Sequence, residues 1–266
     1  PETREREIKN ISAVYGDLAE TILPQLRRSR LIANIEIIGK SDDEIMEFWR
    51  NDPKQLSPEE LLYATTLTDN QNDIEKIYQY VTVKFPQDYR GWNNLGTAYY
   101  KRGDFDLAKQ AIDRAATVSP NAAEVNVNKA LFLLMDGDTQ SAKALLGKAS
   151  KADNLDAAMG LLNIMEGDYN QAADALKDVQ SNNAAIAQIL TSNYVGAENI
   201  LKSLKNPDAL SYYLLAVIGS RTNNFNDVLS NLRSAVAMDS SIATRALKDL
   251  EFAKYKTNAD FLSILR

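Results

Sequence analysis

The stretch "GWNNLGTAYYKRGDFDLAKQAIDRA" (residues 91–115) decides the fold. Trp92, Leu95, Gly96 and Tyr99 recur three to four residues apart, so they share one face of a helix. Gly103-Asp104 interrupts that helix with a turn signal. A second helical pattern runs through Phe105, Ala108, Ile112 and Ala115, and Pro120 ends it just after Ser119. The small residues Gly96, Ala108 and Ala115 stand where the two helices would cross, because a large side chain there would hold the axes apart.

One such hairpin cannot bury its own apolar face, which turns attention to a period. The turn and the helix start after it recur: "KRGDFDLAKQAI" at 101–112, "MDGDTQSAKALL" at 135–146, "MEGDYNQAADAL" at 165–176, "LTSNYVGAENIL" at 190–201 and "RTNNFNDVLSNL" at 221–232. Aligned on Phe105, Thr139, Tyr169, Tyr194 and Phe225, the steps are 34, 30, 25 and 31 residues. Upstream, Pro86 lies 34 residues before Pro120, and the helix "SPEELLYATTL" opens with Ser57, Pro58 and Glu60 as N-cap, first helical residue and capping-box partner.

With Trp92, Leu95, Gly96, Tyr99, Ala108, Ala115 and Pro120 in these places, and Ile112 where Phe is usual, 89–122 resembles a tetratricopeptide repeat. The likeness extends to 55–88, 123–152, 153–180, 181–206 and 207–240. It implies an all-α fold: a right-handed superhelical solenoid of antiparallel helix pairs with about six repeats over 55–240. The short fourth and fifth repeats predict one clipped helix in each and a change of curvature over 153–206. The aromatics after the turns, Phe105, Tyr169, Tyr194 and Phe225, are expected to plug between adjacent hairpins.

The ends differ from the repeats. Residues 241–266 read as a capping helix through Ile242, Ala246, Leu250 and Ala253, with Arg245, Lys248, Asp249 and Lys256 on its outer face. The tail "NADFLSILR" is expected to fold back through Phe261, Leu262 and Ile264. Residues 1–54 form a small helix-plus-strand segment: a helix through Ile8, Ile11, Val14 and Leu18, an orphan strand over 30–39, and a short helix capped by Ser41 with Glu44. A lone strand must pair elsewhere, in a neighbouring domain or in homo-association through a second copy. The order "LPQLRRSRLIANIEIIG…SDDEI…LSPEELLYA" followed by repeats resembles Gram-negative envelope proteins that also carry an outer-membrane protein A-like domain. That resemblance favours the periplasm or cell envelope over the cytoplasm. The chain begins at Pro1 rather than Met and shows no signal peptide, which we read as an excised fragment or a processed product.

Composition removes several functions. The chain has no cysteine and no histidine, so disulfides, thiolate sites, most zinc sites and Ser-His-Asp catalysis are excluded. Thirty Lys and Arg against 36 Asp and Glu leave a net charge of −6, which argues against a nucleic-acid partner. The longest apolar run, Tyr212–Gly219, is far short of the ~20 residues that span a bilayer. No cofactor or metal is expected. Asp104, Asp138 and Asp168 recur in one register, but each precedes a helix as an ordinary N-cap and no calcium-loop ligand ladder surrounds them.

The resemblance implies a concave groove, lined by the first helix of each repeat, that takes a peptide or partner protein. Its positions are Glu59, Tyr63 and Thr66 in the first repeat. The second gives Arg90, Asn93, Asn94, Thr97, Tyr100 and Lys101, and the third Asn128, Leu131 and Met135. Asn94 and Asn128 fall where the family often uses Asn on a peptide backbone; the bland reading is solvated surface. Glu59 and Tyr63 occupy places where a clamp for acidic tails would need Lys or Arg, so an acidic tail is not the expected ligand. Trp92, Tyr99 and Phe105 are read as packing between repeats rather than as a ligand cage. Arg27, Arg28 and Arg30 are a solvated turn or meet a carboxylate partner. Three functions stay open: a non-enzymatic interaction scaffold, a structural spacer or self-association domain, and a carboxylate-dependent hydrolase, for which no spacing speaks.

Overall fold

The structure, a computed structural model, describes Glu20 and residues 39–266. The expected helix through Ile8–Leu18, the strand over 30–39 (beyond Gly39) and the arginines at 27, 28 and 30 lie outside the described residues. Residues Asp42–Arg266 form one compact unit. Among the described residues every regular element is helical.

Helix α1 is Asp42–Asn51, followed by a 3-10 turn at Pro53–Gln55. Six helix pairs then stack: α2 Pro58–Ala64 with α3 Gln71–Lys84, α4 Tyr89–Arg102 with α5 Phe105–Val118, and α6 Ala123–Met135 with α7 Thr139–Leu146. The series continues with α8 Leu155–Glu166 and α9 Tyr169–Ala175, α10 Asn182–Leu190 and α11 Tyr194–Ser203, α12 Ala209–Arg221 and α13 Phe225–Met238. The chain closes with α14 Ser241–Lys248, a 3-10 stretch Leu250–Tyr255 and α15 Ala259–Ile264. This is an all-α solenoid of antiparallel helix pairs.

Local chemistry sets the ends of these helices. Ser57 Oγ accepts from the Glu60 N–H at 3.2 Å and the Glu60 carboxylate accepts from the Ser57 N–H at 2.8 Å, the expected capping box. Helix α2 stops early because the Thr65 and Thr66 hydroxyls donate to the carbonyls of Leu62 and Tyr63, drawing them out of the helical ladder. At the turn inside each later pair one residue adopts left-handed backbone: Gly103, Gly137 and Gly167, then Ser192 and Asn223. Glycine takes that conformation without strain; the last two do not.

The repeat is visible as columns of buried residues. Gly96, Ala130, Gly160, Ala185 and Ala216 occupy one position; Ala108, Ala142, Ala172, Ala197 and Val228 occupy the facing one. A Cβ on Gly96 would stand 2.7 Å from Ile112 Cδ1, and one on Gly160 2.2 Å from Leu176 Cγ. The leucine column (Ile112, Leu146, Leu176, Leu201, Leu232) fills the space the small residues leave, and burying each such side chain contributes about 1.5–3 kcal/mol. Between repeats, Arg102 pairs with Glu75, Lys109 with Asp136 and Lys143 with Glu166 on the surface, where solvent screens them and they add little to stability.

Several expectations need correction. Phe105 and Tyr169 do not plug between hairpins: they are 48% and 39% exposed, and Phe105 lies edge-on to Tyr100 instead. Only Tyr194 and Phe225 pack on a buried cluster. Clipping is not confined to the fourth and fifth repeats: α2 of the first has seven residues and α7 of the third eight, while the fourth has one short helix, α9 with seven, and the fifth has two, α10 and α11 with nine and ten. The C-terminal cap is not one helix. It breaks at Asp249, so Ile242 and Ala246 are buried as expected but Leu250 is 83% exposed and Ala253 is exposed. Asp249 is not an outer-face residue either. Its carboxylate accepts from the Tyr213 hydroxyl, and Arg245 sits 4.7 Å over the Tyr213 ring.

The 3-10 stretch packs on α12 as a further helix would. Arg221 donates to both carboxylate oxygens of Glu251, Ser220 Oγ donates to the Glu251 carbonyl at 2.6 Å, and Lys254 Nζ donates to the Ser220 carbonyl. Phe252 and Phe261 are fully buried against this helix, and Leu262 and Ile264 pack beside them. Helix α12 is therefore buried nearly all round, which explains the run Tyr212–Gly219. No helix among the described residues is long and apolar enough to cross a membrane.

Candidate binding groove

Helices α4, α6 and α8 each present a stripe with the spacing i, i+4, i+7, i+11. On α4 it reads Arg90, Asn94, Thr97, Lys101; on α6 Glu124, Asn128, Leu131, Met135; at α8 Asn154, Ala158, Leu161, Met165. A depression of about 260 Å3 lies along these stripes. Of the expected residues it gathers Thr97, Tyr100, Asn128, Leu131 and Met135. Five further lining residues were not singled out for it: Gly96, Ile112, Phe132, Asn154 and Leu161. Leu161 was within reach, because the repeat register carries Thr97 to Leu131 and on to it. Phe132 was not, because nothing in the spacing separates it from the neighbouring core positions.

The lining is apolar at its centre. Tyr100 stacks edge-on against Phe105 at 5.4 Å and Phe132 at 6.0 Å, bridging the second and third repeats. Tyr100 and Met135 are nonetheless 48% and 53% exposed.

The remaining expected residues have other occupations. Asn93 is 6% exposed; its Oδ1 accepts from Asn128 Nδ2 at 2.8 Å, and its own amide donates to Asn94 Oδ1 at 3.4 Å. These asparagines thus form a polar staple between α4 and α6. Arg90 is clamped by Asp88 and by Glu59 at 2.9 Å. The hydrogen bond from Arg90 holds both carboxyls below the usual carboxylate range and raises the guanidinium above its ordinary value. The Tyr63 hydroxyl donates to Asp42 at 3.1 Å, away from the depression. Lys101 is exposed at the C-terminal end of its stripe.

The recurrent aspartates sit at helix starts as expected, with one difference. Asp138 accepts from the Ser141 N–H at 3.0 Å, but Asp104 and Asp168 make no side-chain cap bond, and Asp104 pairs with Arg102 instead. Among the described residues no group of three or more His, Cys, Asp or Glu could hold a metal ion. Another depression of about 320 Å3 lies between α11, α12 and α13, but its Glu198 and Lys202 neutralise each other at 2.5 Å.

Residues 89–122 match the Tetratricopeptide repeat family. No curated protein matches the chain. Among solved structures, a tetratricopeptide repeat protein from Parabacteroides merdae is 13% identical with a TM-score of 0.55, over 84% of this chain and 90% of that one. PilF of Pseudomonas aeruginosa is 14% identical with a TM-score of 0.51, over 82% and 99%. The human IFIT1 dimer with PPP-AAAA is 12% identical with a TM-score of 0.63, over 84% and 62%. At these identities the likeness is one of fold. The fold is a tetratricopeptide-type helical repeat scaffold, a class that generally mediates protein–protein interaction.

Proposed function

We propose that this chain is a non-enzymatic scaffold that holds a peptide or partner protein in the groove of α4, α6 and α8. The observation that carries the reading is the exposed apolar lining. Tyr100, Met135 and Met165 are exposed, and Leu131 and Leu161 lie half-buried beside them, with Tyr100, Leu131, Met135 and Leu161 lining the depression. Contiguous exposed apolar surface rimmed by polar residues is characteristic of interaction sites. The resemblance of the N-terminal segment to envelope proteins supports the cell envelope as its place of action.

The test is capture from envelope and cytosolic extracts on immobilised protein, wild type against Met135→Lys. Met135 is exposed, so a lysine there is expected to leave the circular dichroism spectrum and melting temperature unchanged. A protein held by wild type and lost by the folded variant supports the groove. Capture that is equal for both sinks it and favours the spacer function. Asn128→Ala is a poorer probe, because it strips the buried Asn93 Oδ1 of its donor and destabilises the repeats themselves.

A further inference from the structure

We propose that the C-terminal segment 250–266 is exchanged between two copies of this chain, with Asp249 as the hinge. The cap carries two conflicting preferences. Locally, residues 241–256 read as one continuous helix. Ile242, Ala246, Leu250 and Ala253 share a face, and between Arg245 and Lys254 every residue but Asp249 and Phe252 is a strong helix former. The structure breaks that helix at Asp249, which is extended at φ −70 and ψ 135, and continues in 3-10 form over Leu250–Tyr255. The break leaves Leu250 exposed, and 3-10 hydrogen bonds are poorer than those of an α-helix. Local preference therefore favours a straight helix, and tertiary contacts hold the bend.

Those contacts are polar and reach α12 and the turn after it. The Tyr213 hydroxyl donates to the Asp249 carboxylate, whose Oδ1 also caps the 3-10 stretch by accepting from the Glu251 N–H at 2.9 Å. Arg221 donates to the Glu251 carboxylate at 3.0 Å and to the Ile189 carbonyl at 3.1 Å, so one guanidinium joins the fifth repeat, the sixth and the cap. Lys254 Nζ donates to the Ser220 carbonyl and to Asn223 Oδ1, each at 2.6 Å.

None of these contacts requires that both sides belong to one chain. Phe252 and Phe261 are fully buried in the docked cap, and Phe252 lies edge-on to Tyr213 at 5.7 Å. A cap that straightens at Asp249 exposes both aromatics and uncovers their seat on α12 and α13. The open monomer is unfavourable for that reason. A second open copy presents the identical seat. Reciprocal docking of the two caps buries the aromatics again and restores the Arg221–Glu251 pair, while each hinge keeps the straight helix that its sequence prefers. The exchange is two-fold and closes on itself, so it stops at a dimer.

The test is light scattering on the full chain, dilute and concentrated, after brief exposure to mild urea. Wild type is expected to gain dimer with concentration. Leu250→Pro should stay monomeric with no loss in melting temperature. Leu250 is exposed and opens the 3-10 stretch, where a helix N–H lacks an intrahelical partner, and Asp249 already has the extended backbone that a following proline favours. Asp249→Ala removes the hold of Tyr213 on the bend and should raise the association constant about tenfold or more. The decisive sample is a mixture. Arg221→Glu and Glu251→Arg each set like charges together within one chain, and only exchanged caps in a mixed dimer restore two opposite pairs. Dimer that is abundant in the mixture and scarce in either variant alone supports exchange. Dimer that forms equally in Leu250→Pro, or equally in the mixture and in the separate variants, assigns association to another face and overturns the proposal. Wild type and Asp249→Ala that both stay monomeric at every concentration, with native circular dichroism, overturn it as well.

Discussion

Trp92 and Asn126 occupy the same position in successive repeats and make the same bond. Trp92 Nε1 donates to the Pro86 carbonyl at 3.1 Å, and Asn126 Nδ2 donates to the Pro120 carbonyl at 3.3 Å, each six residues back. Each proline ends the second helix of the preceding pair, where carbonyls lose their intrahelical donors. Indole and amide are interchangeable here because the position needs one N–H aimed backward. Asn126→Leu keeps the bulk and removes the donor from a side chain that is almost fully buried. The expected loss is about 1–2 kcal/mol in urea unfolding, with unchanged helix content. No loss would mean that water replaces the amide and that the bond does not join the repeats.

Ser192 stands at φ 62 in the turn where other repeats use glycine. A Cβ in left-handed backbone costs about 1–2 kcal/mol, partly returned because serine restricts the unfolded chain more than glycine does. Ser192→Gly should therefore stabilise the protein by about 0.5–1 kcal/mol. Asn223 has the same geometry but accepts from Lys254 Nζ at 2.6 Å, so Asn223→Gly should give no such gain. Thermal unfolding of both variants reads the difference; equal gains would show that the Lys254 contact contributes nothing.

Acid should weaken the fold through carboxyls held below their ordinary range. The hydrogen bond from Arg90 lowers the Asp88 carboxyl. At Asp208 burial pushes upward, but the hydrogen bonds from Ser211 and Asn182 win, and the net shift is downward. A group whose pKa is lower in the folded state contributes stability above its unfolded value and loses it as pH falls through the folded value. Unfolding midpoints should thus be flat from neutrality to about pH 5 and fall below about pH 4. Arg90→Gln returns Asp88 toward its ordinary range and should make that fall shallower. An unchanged pH profile in Arg90→Gln would remove Asp88 from the account.

How much of this was legible in the sequence depends on which physics each residue obeys. The columns through Gly96, Ala108 and Ile112 were readable because helix crossing constrains size at fixed spacing, and size is written in the residue type. The capping box at Ser57 was readable for the same reason: its chemistry is local. Phe105 and Tyr169 were misread because their plugging role depends on a neighbour being one hairpin away, and spacing along the chain does not report what covers a side chain. The break at Asp249 was missed because helical periodicity continues through Leu250; a tertiary bond to Tyr213 wins over the pattern. Of the groove positions that the resemblance implies, Leu131 and Met135 line the depression. Asn93 and Arg90 were named for the same face, yet buried hydrogen bonds and ion pairs commit them to joining the helices.

Gly160 and Leu176 give the sharpest test of why the short fourth repeat is tolerated. A Cβ at Gly160 would lie 2.2 Å from Leu176 Cγ and 2.6 Å from both of its methyls, closer than atoms can approach. The contact is side chain rather than backbone, but Leu176 is buried and fixed by Ala172, Ala184 and Ala187 around it. Gly160→Ala should therefore cost about 1–3 kcal/mol through overpacking, despite alanine's better helix propensity. Leu176→Ala alone should cost about 2–5 kcal/mol through the cavity it leaves. In the double variant the new methyl enters that cavity. Its cost should fall below the sum of the two by about 1 kcal/mol or more, the coupling expected of residues in direct contact. Strict additivity in chemical denaturation would mean that α8 and α9 can slide apart to admit the methyl. The close crossing would then not be what lets a seven-residue helix hold its place in the stack.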